Sequence, residues 1–186
     1  GPANRNYAIG LRLARVPSGE ESVPGPDASD AQKQQAEWAA KLKLPVESAS
    51  PTGIAMVVIP SGEGVEKPFL MGKYEVTQGE WEKVMGYNPS EFKGADLPVE
   101  KVNWFDCVEF CNKLSEKEGL KPYYELTVEE RNGSSIEKAA VKILGGNGYK
   151  IPSDVEWTWA CTAGAKTKFH FGDDEAKLVE YGWYQV

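Results

Sequence analysis

Short runs of residues with strand-like patterns recur along the sequence, and in one of them apolar and polar positions alternate, which predicts a half-buried strand. These runs lie at 5–16, 54–60, 69–76 and 123–144. In the first run, every second residue from Tyr7 to Leu13 is apolar. The last run surrounds Asn132-Gly133, a dipeptide typical of hairpin turns, and its pattern predicts irregular strands.

Helix signals separate these runs. Thr77 and Ser153 each begin a capping-box sequence, which predicts that a helix starts at both positions. A longer helix is predicted over 103–118, with an apolar stripe formed by Trp104, Cys107, Val108, Cys111 and Leu114. Short helices mixed with short strands, without regular βαβ alternation, predict an α+β fold.

A segment rich in Pro, Gly and Ser divides the chain into three regions. Residues 1–16 contain the first predicted strand, and 46–186 contain most of the other elements. Between them, 17–45 is interpreted as a linker that includes a helix over about 31–43. Trp38 gives this helix a small apolar face that we expect to pack against a neighbour.

Composition narrows the classes of function. Hydrophobic residues make up 41% of the 186 residues, enough for a packed core. The net charge is −7, which argues against nucleic acid as a partner. No apolar run approaches the roughly 18 residues of a membrane span, and no signal-peptide pattern is visible at the N-terminus. The compartment and the oligomeric state stay open.

The cysteine pattern does not favour a metal site. The sequence contains Cys107, Cys111 and Cys161, no CxxC motif, and a single histidine, His170. A structural zinc site normally takes four cysteine or histidine ligands at characteristic spacings. We therefore expect the three cysteines to be buried core thiols.

Four stretches in order resemble the formylglycine-generating enzyme family, whose domains are also called sulfatase-modifying factor domains. They are Phe69-Leu-Met-Gly-Lys-Tyr-Glu-Val-Thr77, Pro98-Val-Glu-Lys-Val-Asn-Trp-Phe-Asp-Cys-Val-Glu-Phe-Cys-Asn-Lys-Leu114, Gly148-Tyr-Lys-Ile-Pro-Ser-Asp-Val-Glu-Trp-Thr-Trp-Ala-Cys161, and the stretch 164–172 with Phe169-His-Phe-Gly172. The resemblance covers roughly 52–186 and corresponds to the family's N-terminal half. It implies a partial C-type-lectin-like fold, with short helices around small antiparallel sheets.

The family that these stretches resemble has an enzymatic activity, which we do not expect in this chain. Family members bind copper through a pair of cysteines and use oxygen to convert a substrate cysteine to formylglycine. The segments that carry this pair, together with a Gly-Asn-Val-Trp-Glu-Trp and an Arg-Gly-Gly-Ser-Trp segment, have no counterpart here. We expect no catalytic residue and no cofactor in this chain, since copper and calcium are implied only for a complete member.

The first predicted strand resembles a different part of the same family. Tyr7-Ala-Ile-Gly-Leu-Arg-Leu-Ala-Arg15 is similar to the family's last strand, yet it precedes the other matching stretches. Either it is the tail of an upstream copy or the order of the elements is permuted. In both cases we expect the strand to pair with the sheet of the following domain and to cover an open edge.

Several residues are candidates for a site. Trp104, Trp157, Trp159 and His170 form a candidate ligand groove, and the alternative for the tryptophans is packing in the core. Asp173 and Asp174 are candidate calcium ligands because this ion prefers carboxylate oxygens.

Two acidic residues of the longer helix are further candidates for acid or base chemistry. Asp106 and Glu109 lie near its N-terminus, where we expect them on a solvated face rather than acting as acid or base.

Three functions remain open from the sequence. The chain is part of a formylglycine-generating oxidase, or a non-catalytic lectin-like module that binds a protein or peptide, or a structural repeat that contacts neighbouring copies. Fold alone does not decide among them.

Overall fold

A computed structural model describes residues 11–15, 31–169 and 172–177 of the chain. The elements are β1 (Ala14–Arg15), α1 (Ala31–Lys41), β2 (Glu47–Ala49), β3 (Ala55–Ile59), β4 (Phe69–Gly72), α2 (Gln78–Met85), α3 (Trp104–Lys117), β5 (Tyr124–Asn132), β6 (Ser135–Ile143), α4 (Asp154–Thr162) and a 3₁₀ turn (Glu175–Lys177). This mixture of short helices and small antiparallel sheets confirms the predicted α+β class.

The larger sheet has the strand order β1-β4-β3-β2 within the described ranges, and all of its pairs are antiparallel. Every residue of β4 is buried because both faces of the sheet are covered. Leu70 contributes to the main core, on the face occupied by α1, α2 and α3, whereas Phe69 and Met71 belong to a smaller cluster on the other face. The predicted strand 69–76 ends at Gly72, earlier than its apolar pattern suggested.

β1 lies within the strand predicted over 5–16, of which 5–10 and 16 are outside the described residues, and it pairs with this sheet as expected. Ala14 lies opposite Met71, and the amide of Gly72 donates to the carbonyl oxygen of Leu13 at 2.9 Å. On the other edge, Ala14 exchanges two backbone hydrogen bonds of 2.8 Å with Lys150. β1 therefore occupies an interior position, with a neighbour on each edge.

The three helices of the main core begin and end where local signals place them, within two residues. α1 packs through the buried residues Trp38 and Ala39, and it ends at Lys41 rather than at the predicted 43. Capping boxes at Thr77 and Asn103 start α2 and α3. Trp81 of α2 stacks on Phe110 of α3 with ring centroids 4.9 Å apart.

β5 and β6 form a two-stranded hairpin that is more regular than predicted. The strands pair from Tyr124↔Ile143 to Asn132↔Ser135, with register shifts between Val128 and Arg131. Ile136 is fully buried where the hairpin packs on α3. Most of the remaining hairpin residues are exposed, so this element extends over the surface instead of entering the core.

Candidate functional site

α4 covers the second face of the larger sheet and carries two of the predicted groove tryptophans. Ser153 starts the helix with a capping box, in which its hydroxyl accepts the amide of Glu156. The Glu156 carboxylate accepts the Ser153 amide and also pairs with the ammonium group of Lys150, which is only 7% exposed. Since Lys150 is hydrogen-bonded to β1, this ion pair fixes the start of α4 to the sheet.

Trp159 anchors the middle of α4. Its indole Nε1 donates to the carbonyl oxygen of Pro60 at 2.9 Å, and its ring lies directly over Gly62. A Cβ atom at Gly62 would be 1.9 Å from that ring, so only glycine permits this approach. Packing against the core, the alternative to a ligand groove, therefore describes Trp159.

Trp157 lies on the same helix but, unlike Trp159, is exposed to solvent. Its side chain is 52% exposed. Cys161, one helical turn after Trp157, is exposed too, so the two share a solvent-facing side of α4. The core-packing alternative is wrong for Trp157, and the buried-thiol prediction is wrong for Cys161, because α4 buries only the side that carries Trp159.

Trp104 lies apart from these residues. It is the first residue of α3, 52% exposed, and its ring meets that of Phe105 edge to face at 5.5 Å. Core packing is thus wrong for Trp104 as well, since the buried stripe of α3 starts only one turn later. Across the described ranges no ring contact joins Trp104 to Trp157 or Trp159, and His170 lies outside them. A groove formed by these four residues stays a prediction.

The remaining thiols lie inside the main core. Cys107 and Cys111 are one turn apart on α3 and both are buried, as predicted. Burial raises the pKa of Cys107 to about 12 and the pKa of Cys111 well above its usual value. Both are therefore protonated near neutral pH. Metal coordination requires thiolates, so these residues do not fit the copper centre that the family implies.

Asp106 is buried rather than solvated, contrary to the sequence-based expectation. Its carboxylate accepts the amides of Asn103 (3.1 Å) and Ile136 (2.8 Å) and the hydroxyl of Ser135 (3.0 Å). These neutral donors replace water around the charge, and they join the start of α3 to the hairpin. Glu109 is paired with Arg131 at 2.8 Å. Both carboxylates therefore serve structure.

The candidate calcium ligands accept backbone amides. Asp173 Oδ1 accepts from Lys168 at 2.7 Å, and Asp174 Oδ1 accepts from Ala176 at 3.0 Å. In the part of the chain that the structure describes, no three His, Cys, Asp or Glu side chains converge so as to hold a metal ion. Calcium binding at these two residues stays a prediction.

A cleft of about 370 Å³ was missed by sequence reasoning. Arg12 from the segment before β1 forms one wall, while Tyr74, Glu75 and Asp96 come from the segments after β4 and α2. The only sequence signal for it is the outward position of Arg12 in the alternating pattern. The lining residues come from distant segments of the chain. They come together only because β1 pairs between β4 and Lys150.

Comparison with known proteins links the chain to one family. Residues 45–185 match the family described as sulfatase-modifying factor enzyme 1-like domain. "Chaperone protein LppX" of Paenibacillus barcinonensis is 43% identical over 122 residues, which cover 62% of this chain and 44% of that protein. The solved structure of "Treponema denticola variable protein 1" is similar, with a TM-score of 0.58, 30% identity, and coverage of 75% of this chain and 65% of that one.

These similarities confirm the predicted family resemblance and the C-type-lectin-like fold class. The chain spans less than half the length of the LppX protein and about two thirds of the Treponema protein. Within the described residues, the structure contains no helix long and apolar enough to cross a membrane.

Proposed function

The chain belongs to the sulfatase-modifying factor enzyme 1-like domain family, and on this premise we propose that it is a non-catalytic protein-binding domain. The observation that carries the proposal is the exposed side of α4, where Trp157 projects from a helix that is fixed to the fold through Trp159.

The non-catalytic part of the proposal is supported by the positions of the thiols. The family's chemistry needs two thiolates that converge on one metal ion. Cys107 and Cys111 are buried and held in the thiol form, because burial raises the pKa of both. Cys161 lies exposed on a different helix. None of these positions supplies the convergent pair.

The binding part is supported by the surface that α4 presents. A large aromatic side chain on a rigid helix contributes much contact area at a low cost in conformational entropy, which is why tryptophan is frequent among the residues that dominate interfaces. Trp157 is about half exposed and does not anchor α4. The occupant that fits this surface is an apolar segment of another polypeptide.

The name of one relative agrees with this chemistry. The LppX protein, 43% identical over the matched residues, is called a chaperone protein. A chaperone contacts exposed apolar segments of other chains, and this use of α4 needs neither metal nor oxygen. The proposed function is therefore binding of another polypeptide and not its oxidation.

Suppression of aggregation tests this function. Citrate synthase unfolding at elevated temperature is the client, and light scattering is the readout, with equimolar chain added. We expect the wild type to lower the scattering and Trp157→Ser to lose most of that effect. Phe92→Ser is the matched control, since Phe92 is 74% exposed but lies in a loop far along the chain from α4. No suppression by the wild type, or equal loss in both variants, would contradict the proposal.

A second candidate function follows from the family match itself. In this alternative, the chain is one part of an oxidase whose copper-binding cysteines are supplied by another region of the parent protein. The structural-repeat alternative predicts contacts between neighbouring copies. Both alternatives predict no dependence of client binding on Trp157, so the Trp157→Ser comparison separates them from the binding module.

A further inference from the structure

We propose that the slot between β4 and Lys150 is a strand-binding site that accepts Leu11–Arg15 of a second copy of this chain as well as its own. The site would join two copies by mutual exchange of this segment. It is distinct from the α4 surface and uses none of its exposed residues.

The backbone of the slot bonds to the segment from both sides. On the β4 side, Gly72 donates to the carbonyl oxygen of Leu13 at 2.9 Å, and Val76 donates to that of Leu11 at 2.8 Å. On the opposite side, the amide and carbonyl of Lys150 pair with those of Ala14 at 2.8 Å. These bonds recognise any extended chain, as in other cases of strand addition to a sheet.

The side chains add sequence selectivity. Leu11 and Leu13 are 5% and 0% exposed and enter the main core, whereas Ala14 is fully buried on the other face, beside the cluster that α4 covers. Arg12 points outward and lines the cleft. The slot therefore requires two large apolar residues two positions apart, with a small residue directly after the second.

The connection to the rest of the domain allows the segment to come from either copy. Residues 16–30 separate it from α1, and the sequence there is rich in Pro, Gly, Ser and acidic residues, with no large aromatic or Leu, Ile or Met residue. A segment of that length can reach about 50 Å when extended, further than the diameter of a domain of this size, roughly 40 Å. A neighbour's slot is within reach.

The same contacts form whether the segment comes from the chain itself or from a second copy. The protein concentration therefore decides between monomer and exchanged dimer. A connection of this length gives an effective local concentration on the order of 1 mM. If the copies exchange segments freely, about half of the chains should be exchanged dimers at about 1 mM and about 2% at about 10 μM. Exchange requires that a buried segment leaves its slot, so the dimer should persist for some time after dilution.

Refolding of the full chain tests the proposal. The chain is refolded from denaturant at about 1 mM and about 10 μM, and its mass is measured by light scattering after size exclusion. The expected result is a dimer that is prominent at the high concentration and nearly absent at the low one. A monomer under both conditions would overturn the proposal.

Proteolysis identifies how the copies are joined. In a variant with a thrombin site in place of 18–23, cleavage of the dimer should convert it to particles of monomer mass that retain the segment, because only the linkers connect the copies. A dimer that survives cleavage is held by another surface and would contradict the exchange. Trp157→Ser should leave the exchanged dimer unchanged, so this test fails or succeeds independently of the proposed function.

A peptide-exchange experiment tests the strand-binding site without a refolding step. The thrombin-cleaved monomer is incubated with a fluorescent peptide of residues 5–16, and a peptide with Leu13→Asp serves as the matched control. We expect the first peptide to enter the slot and the second to be excluded, since a charge would replace a fully buried side chain. Equal incorporation of both peptides, or of neither, would refute a selective strand-binding site.

Discussion

The hydroxyl of Tyr149 donates a 2.7 Å hydrogen bond to Glu118 Oε2, while the other oxygen of that carboxylate accepts from both the amide and the hydroxyl of Thr52. Glu118 follows directly after α3, and Thr52 lies in the turn between β2 and β3. This carboxylate therefore joins three parts of the fold that are distant in sequence. Burial, and then the neighbouring Glu118, raises the pKa of Tyr149.

Stability should fall at alkaline pH. Burial raises the pKa of Tyr124 and of Cys107 to about 12 each, and the pKa of Tyr149 is raised too. The folded state thus holds these protons more tightly than the unfolded chain. Their stabilisation is complete only below the unfolded pKa values, about 8.5 for cysteine and about 10 for tyrosine, and it is lost as the pH rises towards 12. Urea unfolding at pH 8, 10 and 11 should show a decreasing midpoint.

Tyr124→Phe is the control for that pH profile. The variant should be less stable at pH 8 by about 1 kcal/mol, because the Tyr124 hydroxyl no longer accepts the Ile151 amide. Its midpoint should then decline less steeply above pH 10 than that of the wild type. Equal midpoints of the wild type at pH 8 and 11 would show that these groups are not protected by the fold.

Substitutions of Leu13 and Arg12, which precede β1, should have different effects on stability because the first is buried and the second is exposed. Leu13→Ala removes a side chain that is 0% exposed and should lower the free energy of unfolding by about 2–5 kcal/mol. Arg12→Ala, one residue earlier on the exposed side, should change it by less than about 0.5 kcal/mol. Chemical denaturation measures both, and a similar effect of the two would mean that this segment is not an interior strand.

The two tryptophans of α4 form a second matched pair. Trp159→Phe loses the hydrogen bond to Pro60 and part of the ring over Gly62, so we expect a loss of about 1–2 kcal/mol in the free energy of unfolding. Trp157→Phe should stay within about 0.5 kcal/mol, as its side chain is half exposed. If Trp157→Phe proves the more damaging change, the orientation of α4 is different from the one described.

Thiol titration should divide the cysteines by burial. With Ellman's reagent at pH 8, Cys161 should react rapidly in the native protein because it is exposed. Cys107 and Cys111 should react only after unfolding, since both are buried and their pKa values are raised. Cys161→Ser should abolish the rapid phase. A rapid native phase that persists in this variant would place a second thiol at the surface.

Much of the fold could be predicted because its signals are local. The capping boxes at Thr77 and Ser153 identified two helix starts, since the paired side chains lie only three residues apart. Alternation around Leu13 likewise identified the strand before the domain. The end of β4 at Gly72 was missed, because residues 73–76 continue the alternating pattern although the chain bends directly after Gly72.

Less of the candidate site than of the fold could be predicted from the sequence. Trp157 and Trp159 are two residues apart and chemically identical, yet one is exposed and the other anchored. The difference arises from Gly62, nearly a hundred positions earlier, where the missing side chain leaves room for one ring. The burial of Asp106 depends in the same way on donors from the hairpin. Such long-range contacts leave no local pattern.

We propose that this chain has the fold of the sulfatase-modifying factor family without the family's catalysis. The most direct test of this proposal is to incubate the full chain with a Cys-x-Pro-x-Arg peptide, copper(I) and oxygen, and to follow the peptide by mass spectrometry. Our account predicts an unchanged peptide mass, because no two thiolates of the chain converge on a metal site. Conversion of the peptide cysteine to the formylglycine mass, abolished when Cys107 or Cys111 is replaced by Ala, would contradict it.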